Sequence, residues 1–170
     1  MNEIIFVIHP SSLIPHPFMI IRSILLPTDF SRCADVALPY AADLARRMQA
    51  RLLCLHVVET MTPPVGYAAV AEPMPAVDLG GQLEESATQE LPKLGAREEC
   101  VGLEVEEVVA HGDAAGEIVR VARERDIDLI VISSHGRTGF GRMLFGSTAE
   151  SVVRHAHCPV LVVKPKETDK

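Results

Sequence analysis

Several features that define whole classes of protein are missing from this chain. It has no tryptophan and only 4% aromatic residues, which argues against a stacking platform for single-stranded nucleic acid. The formal net charge is −7 and no long basic run is present, so binding to a phosphate backbone is also disfavoured. No stretch reaches the roughly eighteen apolar residues that a membrane-spanning helix needs. We therefore expect no nucleic acid and no membrane among its partners.

Cysteine and histidine do not cluster into a metal-binding pattern. The four cysteines are widely spaced and form no C-x-x-C pair, which is typical of reduced, mostly buried thiols in a cytoplasmic protein. His155 and His157 lie two residues apart at a predicted helix end, where their side chains do not share one face of the helix. We expect no metal site from them.

The first eighteen residues differ from the rest of the chain. They contain no lysine or arginine, and their apolar run, 4–8, is shorter than a secretory signal requires. Met19 then opens a segment that has the pattern of a domain start. We interpret 1–18 as a leader that is mis-assigned or unfolded, 19–166 as one domain, and 167–170 as a tail.

Five apolar runs alternate with helical patterns along the domain. The runs such as 129–132 are apolar on both faces, which is typical of central parallel strands covered by helices on both sides. The order βαβαβαβαβ predicts a five-stranded, parallel, doubly wound open sheet of the Rossmann-like type. The predicted strands are 22–28, 51–59, 103–112, 128–134 and 159–164, and the predicted helices are 32–49, 81–97, 114–125 and 147–156.

Capping and helix-breaking residues refine the helices. Ser31 and Asp113 are predicted N-caps, and Ser147 with Glu150 matches a capping box. Pro39 lies inside the first predicted helix and should kink it, because proline lacks the N–H that the helix uses.

A glycine-rich loop, SSHGRTGFGRMLFGST, follows the fourth predicted strand. Phosphate requires several inward-pointing N–H groups and little side-chain bulk, and glycines next to a helix N-terminus provide both. The hydroxyls of Ser147 and Thr148 and the charges of Arg137 and Arg142 suit the same ligand. The alternative is a loop without a ligand, whose Ser147 only caps its helix. The loop is not a P-loop, since it has no lysine, and its position after the fourth strand excludes the dinucleotide fingerprint.

Four stretches of the chain resemble the universal stress protein family. They are ILLPTDFS, LHVVE, HGDAAGEIVRVARERDIDLIVISSHG and SSHGRTGFGRMLFGSTAESVVRHAHCPVLVVK. The resemblance covers about 19–165 and implies the family's fold, which is adenine nucleotide alpha hydrolase-like with the strand order 3-2-1-4-5. It also implies a cytoplasmic protein that binds ATP, with or without Mg²⁺, and acts as a nucleotide-responsive stress factor.

The resemblance implies a set of nucleotide-binding residues. Family members with this type of loop bind ATP through Gly-x2-Gly-x9-Gly-Ser/Thr, which falls here on Ser133, Gly136, Gly146 and Ser147. Serine replaces the first glycine, and we expect its Cβ and hydroxyl to weaken binding without abolishing it.

Further residues are implied on both sides of the nucleotide. Asp29 would contact the ribose or the base, Pro27 and Thr28 would wall the adenine pocket, and Val57 would offer its backbone to adenine. Thr148 would join Gly136, Gly146 and Ser147 at the phosphates, and Arg137 is added to the site on account of its charge. Two plainer interpretations stay open: Asp29 as a turn or cap residue, and Val57 as a core residue of its strand.

No catalytic residue is expected. His135 lies beside the predicted phosphate site, but the sequence pattern shows no second histidine or carboxylate to act with it, so ATP hydrolysis would be slow at most. The last strand, Pro159 to Lys164, would form an apolar sheet edge, and only polar residues follow it. The resemblance implies that this strand pairs with its counterpart in a homodimer.

Two alternatives to an ATP-binding stress factor stay open. They are a nucleotide-free interaction module, which Ser133 favours, and a slow ATP hydrolase.

Overall fold

The computed structural model describes residues 4–7, 20–59, 79–135 and 146–164. Its strands are β1 (Ile4–Val7), β2 (Ser23–Pro27), β3 (Arg51–Val58), β4 (Val105–His111), β5 (Leu129–Ser133) and β6 (Val160–Val163). Its α-helices are α1 (Arg32–Asp35), α2 (Leu38–Met48), α3 (Leu79–Gly95), α4 (Ala114–Glu124) and α5 (Ser147–His155). None of the helices in these ranges is long and apolar enough to cross a membrane.

The described strands form one sheet with the order β1-β6-β5-β2-β3-β4. The strands from β2 to β6 are paired in parallel. Counted from β2, they have the order 3-2-1-4-5, so the predicted doubly wound sheet is confirmed. The chain moves outward from β2 through β3 and β4, and then returns to the other side of β2 through β5 and β6. The direction of winding therefore reverses between β2 and β5, which is where ligands bind in open sheets of this kind.

Two apolar layers, one on each face, hold the sheet. Along β5, Leu129 and Val131 belong to the layer that packs against α2 and α3, whereas Ile130 and Ile132 belong to the layer that packs against α4 and α5. Every residue of β5 is buried, as the continuous apolar run predicted. Each side chain of this size that leaves water contributes about 1.5–3 kcal/mol, so both faces stabilise the central strands.

Local signals in the helices had mixed outcomes. Ser31 caps α1 by accepting a hydrogen bond from the Ala34 N–H at 3.1 Å, and Asp113 caps α4 by accepting one from the Gly116 N–H at 2.8 Å. Both predicted caps are confirmed. Pro39 does more than kink a helix. The predicted helix 32–49 is divided into α1 and α2, and proline stands in the first turn of α2, where its missing N–H costs nothing.

The cysteines are free thiols, and three of them are buried, as predicted for reduced residues of a core. Cys54 and Cys158 lie in the two apolar layers, and burial raises the pKa of their thiols to about 12 and about 11. Cys100 is also buried, and Cys33 is half-buried.

Strand β1 was not predicted. It lies within 1–18 and pairs antiparallel with β6 along its whole length, from Ile4↔Val163 to Val7↔Val160. The edge of β6 is thus covered by a segment from the start of the chain, whereas the sequence analysis predicts a second copy of the chain at this edge. A short apolar run becomes a strand when an edge offers it unpaired N–H and C=O groups. That Met19 is the natural start stays a prediction.

Candidate functional site

The site lies beyond the carboxyl end of β2, between the carboxyl ends of β3 and β5, a space called the crevice below. The β2–β5 register contains two pairs, Ile24↔Leu129 and Leu25↔Ile130, and ends before Pro27. Proline has no N–H to donate to a neighbouring strand. β2 and β5 therefore stop pairing where the winding reverses, and this opens the crevice.

The loop after β2 is held by its own side chains. Thr28 Oγ1 accepts a hydrogen bond from the Phe30 N–H at 3.0 Å, and Asp29 Oδ1 accepts one from the Ser31 N–H at 3.0 Å. Phe30 has a φ of +60°, a conformation that non-glycine residues rarely adopt. Asp29 is therefore a turn residue, as one interpretation had it, and the turn also fixes its half-buried carboxylate beside the crevice.

Val57 has a different role for its side chain than for its backbone. The side chain packs against the layer under α4 and α5. The Thr28 N–H donates to the Leu55 carbonyl at 2.8 Å, so alternate residues of β3, counted from Leu55, turn their peptide groups towards β2. Val57 is two residues after Leu55, so its peptide groups turn to the same side. It lies beyond the last register pair of the two strands, Pro27↔Leu55. Its N–H and C=O therefore point into the crevice.

Ser133, the departure from the family motif, is buried. It is only 6% exposed, and its Oγ lies 3.5 Å from the His135 N–H, at the outer limit of a hydrogen bond. The next residue, Ser134, is 1% exposed, and its Oγ contacts His135 Nδ1 at 2.9 Å. A hydroxyl this deeply buried is not placed to attack a ligand.

Gly146 ties the start of α5 to the end of β5. Its N–H donates to the Ser134 carbonyl at 2.7 Å. A Cβ at this position would lie 3.4 Å from the same carbonyl oxygen. The φ of Gly146 is −71°, which any residue adopts, and a single Cβ would make an ordinary contact, so only a larger, branched side chain would be crowded here.

The predicted capping box at α5 is wrong. Gly146 occupies the N-cap position without a side-chain hydrogen bond, and Ser147 is the first residue of the helix. The reason is the bond between Gly146 and Ser134, which places the non-helical residue one position earlier than the pattern suggested. The hydroxyls of Ser147 and Thr148 thus do not cap the helix, and they stand beside the first-turn N–H groups, which have no partner within the helix itself.

Two predicted phosphate ligands, Gly136 and Arg137, fall outside the described residues, as does Arg142, and their roles stay predictions. The structure adds two residues that sequence reasoning missed. The ring of His56 contacts the Thr28 carbonyl through Nδ1 at 2.8 Å. Phe30 stacks on the same ring at 4.4 Å between centroids. The available signal was a histidine inside an otherwise apolar strand.

Comparisons with known proteins agree with the fold. A family model, described as the universal stress protein family, matches residues 21–164. Universal stress protein MJ0531 of Methanocaldococcus jannaschii is 35% identical over 158 residues, which cover 92% of this chain and 91% of the relative. The solved structure of MJ0577 from the same organism superposes with a TM-score of 0.73 at 30% identity, over 87% of this chain and 99% of the other. A universal stress protein in complex with cAMP has a TM-score of 0.62 at 22% identity, over 84% and 97% of the two chains, and shows the fold alone.

Proposed function

The chain belongs to the universal stress protein family, and on that premise we propose that it binds ATP in the crevice and acts as a cytoplasmic, nucleotide-responsive stress factor. The observation that carries the proposal is the pair of backbone groups of Val57, which extend past the end of β2 towards the crevice. The start of α5 is bound to the end of β5 on the opposite side. The base would bind the backbone of Val57, and the phosphate chain would bind the start of α5.

The base is the part that Val57 would recognise. One edge of adenine carries a ring nitrogen that accepts a hydrogen bond next to an amino group that donates one. The N–H and C=O of a single extended residue complement that edge. Guanine presents a donor and an acceptor in the reverse order, so the same two groups would disfavour it.

The phosphates are the part that α5 would bind. The first N–H groups of a helix have no partner within the helix, and the helix dipole favours negative charge at this end. Ser147 is exposed and Thr148 is half-buried, and neither hydroxyl is used as a cap. Gly136 belongs to the same proposal through the family motif, and Arg137 through its positive charge.

Ser133 is the residue on which this proposal and the nucleotide-free alternative differ. Its burial supports ATP binding, because a residue that is only 6% exposed adds little bulk to the surface of the crevice. The direct test begins with protein purified without added nucleotide. The denatured supernatant is analysed for ATP, ADP and AMP by anion exchange, and the emptied protein is titrated with Mg-ATP by calorimetry. We expect bound nucleotide or saturable binding. If neither is found, the crevice does not bind ATP, and the nucleotide-free module becomes the better proposal.

Two substitutions at α5 locate the phosphate site. Gly146→Val places a branched side chain against the Ser134 carbonyl, and we expect ATP affinity to fall at least tenfold. Gly146→Ala is the graded control, because its single Cβ makes an ordinary contact at 3.4 Å. Ser147→Ala should weaken ATP binding several-fold, whereas Ser151→Ala, one turn further along α5, should not. An unchanged affinity in Gly146→Val would remove the phosphates from this helix end.

The proposal also includes a homodimer through 159–164. Val160–Val163 carries no charge and is buried, so the strand suits pairing with an identical copy. In the structure, β1 occupies its edge. A dimer through this strand therefore requires β1 to leave.

A further inference from the structure

The backbone hydrogen bonds between the parallel strands β2 and β3 stop one bond before the alignment of the two strands would end them. The Thr28 N–H still donates to the Leu55 carbonyl at 2.8 Å. In a continuing ladder, the next bond would run from the Val57 N–H to the Thr28 carbonyl. The register ends instead at Pro27↔Leu55, and no hydrogen bond of this kind is present among the described residues.

The Thr28 carbonyl has a different donor, the ring of His56, whose Nδ1 lies 2.8 Å away. A carbonyl oxygen only accepts, so Nδ1 must carry the hydrogen. Phe30 stacks on the ring at an interplanar angle of 25°, and the Phe30 N–H is held by Thr28 Oγ1. The imidazole is thus fixed by the loop whose carbonyl it binds.

We propose that His56 is a positioning residue for the nucleotide site: by donating to the Thr28 carbonyl, it ends the β2–β3 ladder and leaves the Val57 N–H for the adenine base. This inference rests on the proposed ATP site and deepens it. Without a side-chain donor, the Thr28 carbonyl would be left without a partner, and Thr28 is only 9% exposed. The donor that a continuing parallel ladder would bring to this carbonyl is the Val57 N–H, which is the group that the base needs.

His56→Phe tests the proposal, because it keeps an aromatic ring against Phe30 and removes the donor. His56→Asn is the rescue variant, since its amide nitrogen can take the place of Nδ1. His111→Phe is the matched control, a histidine on the neighbouring strand β4 whose Nε2 lies 3.4 Å from a carboxylate oxygen of Glu84.

The first measurement needs no nucleotide. Hydrogen exchange of the Val57 amide is followed in the full chain, and we expect it to slow at least tenfold in His56→Phe as the ladder closes onto Thr28. His56→Asn and His111→Phe should exchange like the wild type. A general loss of folding would instead speed exchange throughout the sheet, so the direction of the change at one amide is diagnostic.

The second measurement is nucleotide affinity by calorimetry. ATP should bind about tenfold more weakly to His56→Phe, with a reduced preference for ATP over GTP, while binding of inorganic triphosphate is unchanged. His56→Asn should recover most of the loss. Wild-type protein that binds ATP, together with a His56→Phe variant of equal affinity and equal Val57 exchange, would overturn this inference alone. Wild-type protein that binds no ATP would overturn the proposed function and this inference with it.

Discussion

The carboxylate of Asp128 joins the amino ends of β2 and β5, and its removal gives a sharp test of how the central pair is held. Asp128 Oδ2 accepts hydrogen bonds from the Arg22 N–H at 2.8 Å, from the Ser23 N–H at 3.0 Å and from Ser23 Oγ at 2.9 Å. Ser23 is 1% exposed. The perturbation is Asp128→Ala, which removes the acceptor and changes little else.

The three bonds do not contribute equally. Water can replace the carboxylate at the exposed Arg22 N–H, and the Ser23 hydroxyl keeps a second partner, the Asp126 carbonyl at 2.8 Å. The Ser23 N–H is left buried without an acceptor. A buried donor left unpaired costs about 1–3 kcal/mol, and a bond to a charged acceptor contributes about 1.5–3 kcal/mol. We therefore expect a loss of about 3 kcal/mol in the free energy of unfolding.

The assay is urea unfolding followed by far-ultraviolet circular dichroism, which suits a chain without tryptophan. With a denaturant slope of about 2 kcal/mol per molar urea, the midpoint should fall by about 1.5 M. Asp128→Asn keeps an acceptor and should lose less. Asp43→Ala removes a carboxylate from an exposed pair with Arg47 and should change stability by less than about 0.5 kcal/mol.

A loss below about 0.5 kcal/mol in Asp128→Ala would refute the reasoning, because the Ser23 N–H would then have found another partner or water. The variant also separates stability from binding. Asp128 lies at the amino end of β2, about 13 Å from the crevice along the strand, so ATP affinity should stay unchanged.

Two further predictions concern β1 and the buried thiols. Ile5 and Val162 are register partners, so a chain carrying Ile5→Cys and Val162→Cys should stay monomeric when oxidised and dimerise when reduced. Light scattering measures this, and equal dimerisation in both states would contradict a dimer through β6. The Cys54 thiol has its pKa raised by burial from 9.0 to about 12, so the unfolded chain releases this proton at lower pH than the folded chain. Stability should therefore fall between pH 9 and pH 11 more steeply in the wild type than in Cys54→Ala, by up to about 1.4 kcal/mol per pH unit. Parallel pH profiles of the urea midpoint would show that Cys54 has the same pKa in the folded and the unfolded chain, and that burial does not raise it.

Local patterns predicted the parallel sheet, because each pattern acts within one element. The apolar run at 129–132 is long enough and apolar enough on both faces to require a covered strand, whichever strands become its neighbours. The caps Ser31 and Asp113 bond to N–H groups three residues away, so their partners are set by the helix itself. The alternation of such elements then restricts the topology to few possibilities.

Sequence reasoning failed where the hydrogen-bond partner of a residue is distant in the sequence or is a backbone N–H or C=O group. Ser147 matches a capping box, but the Gly146 N–H reaches the Ser134 carbonyl and moves the cap. The place of β1 depends on an unpaired edge more than 150 residues away in sequence, since Ile4 pairs with Val163.

By itself, the sequence determined the parallel strands β2 to β6 and the helices that cover them, and the resemblance of its motifs identified the family and the order of these strands. Only the tertiary structure decided which groups face the crevice. Ser133 is buried, and Val57 lies beyond the last register pair of β2 and β3. His56 takes the carbonyl that would otherwise have bound the Val57 N–H. The physical reason is that backbone N–H and C=O groups are the same in every residue, so only the neighbours that folding brings to them determine which ones a ligand can use.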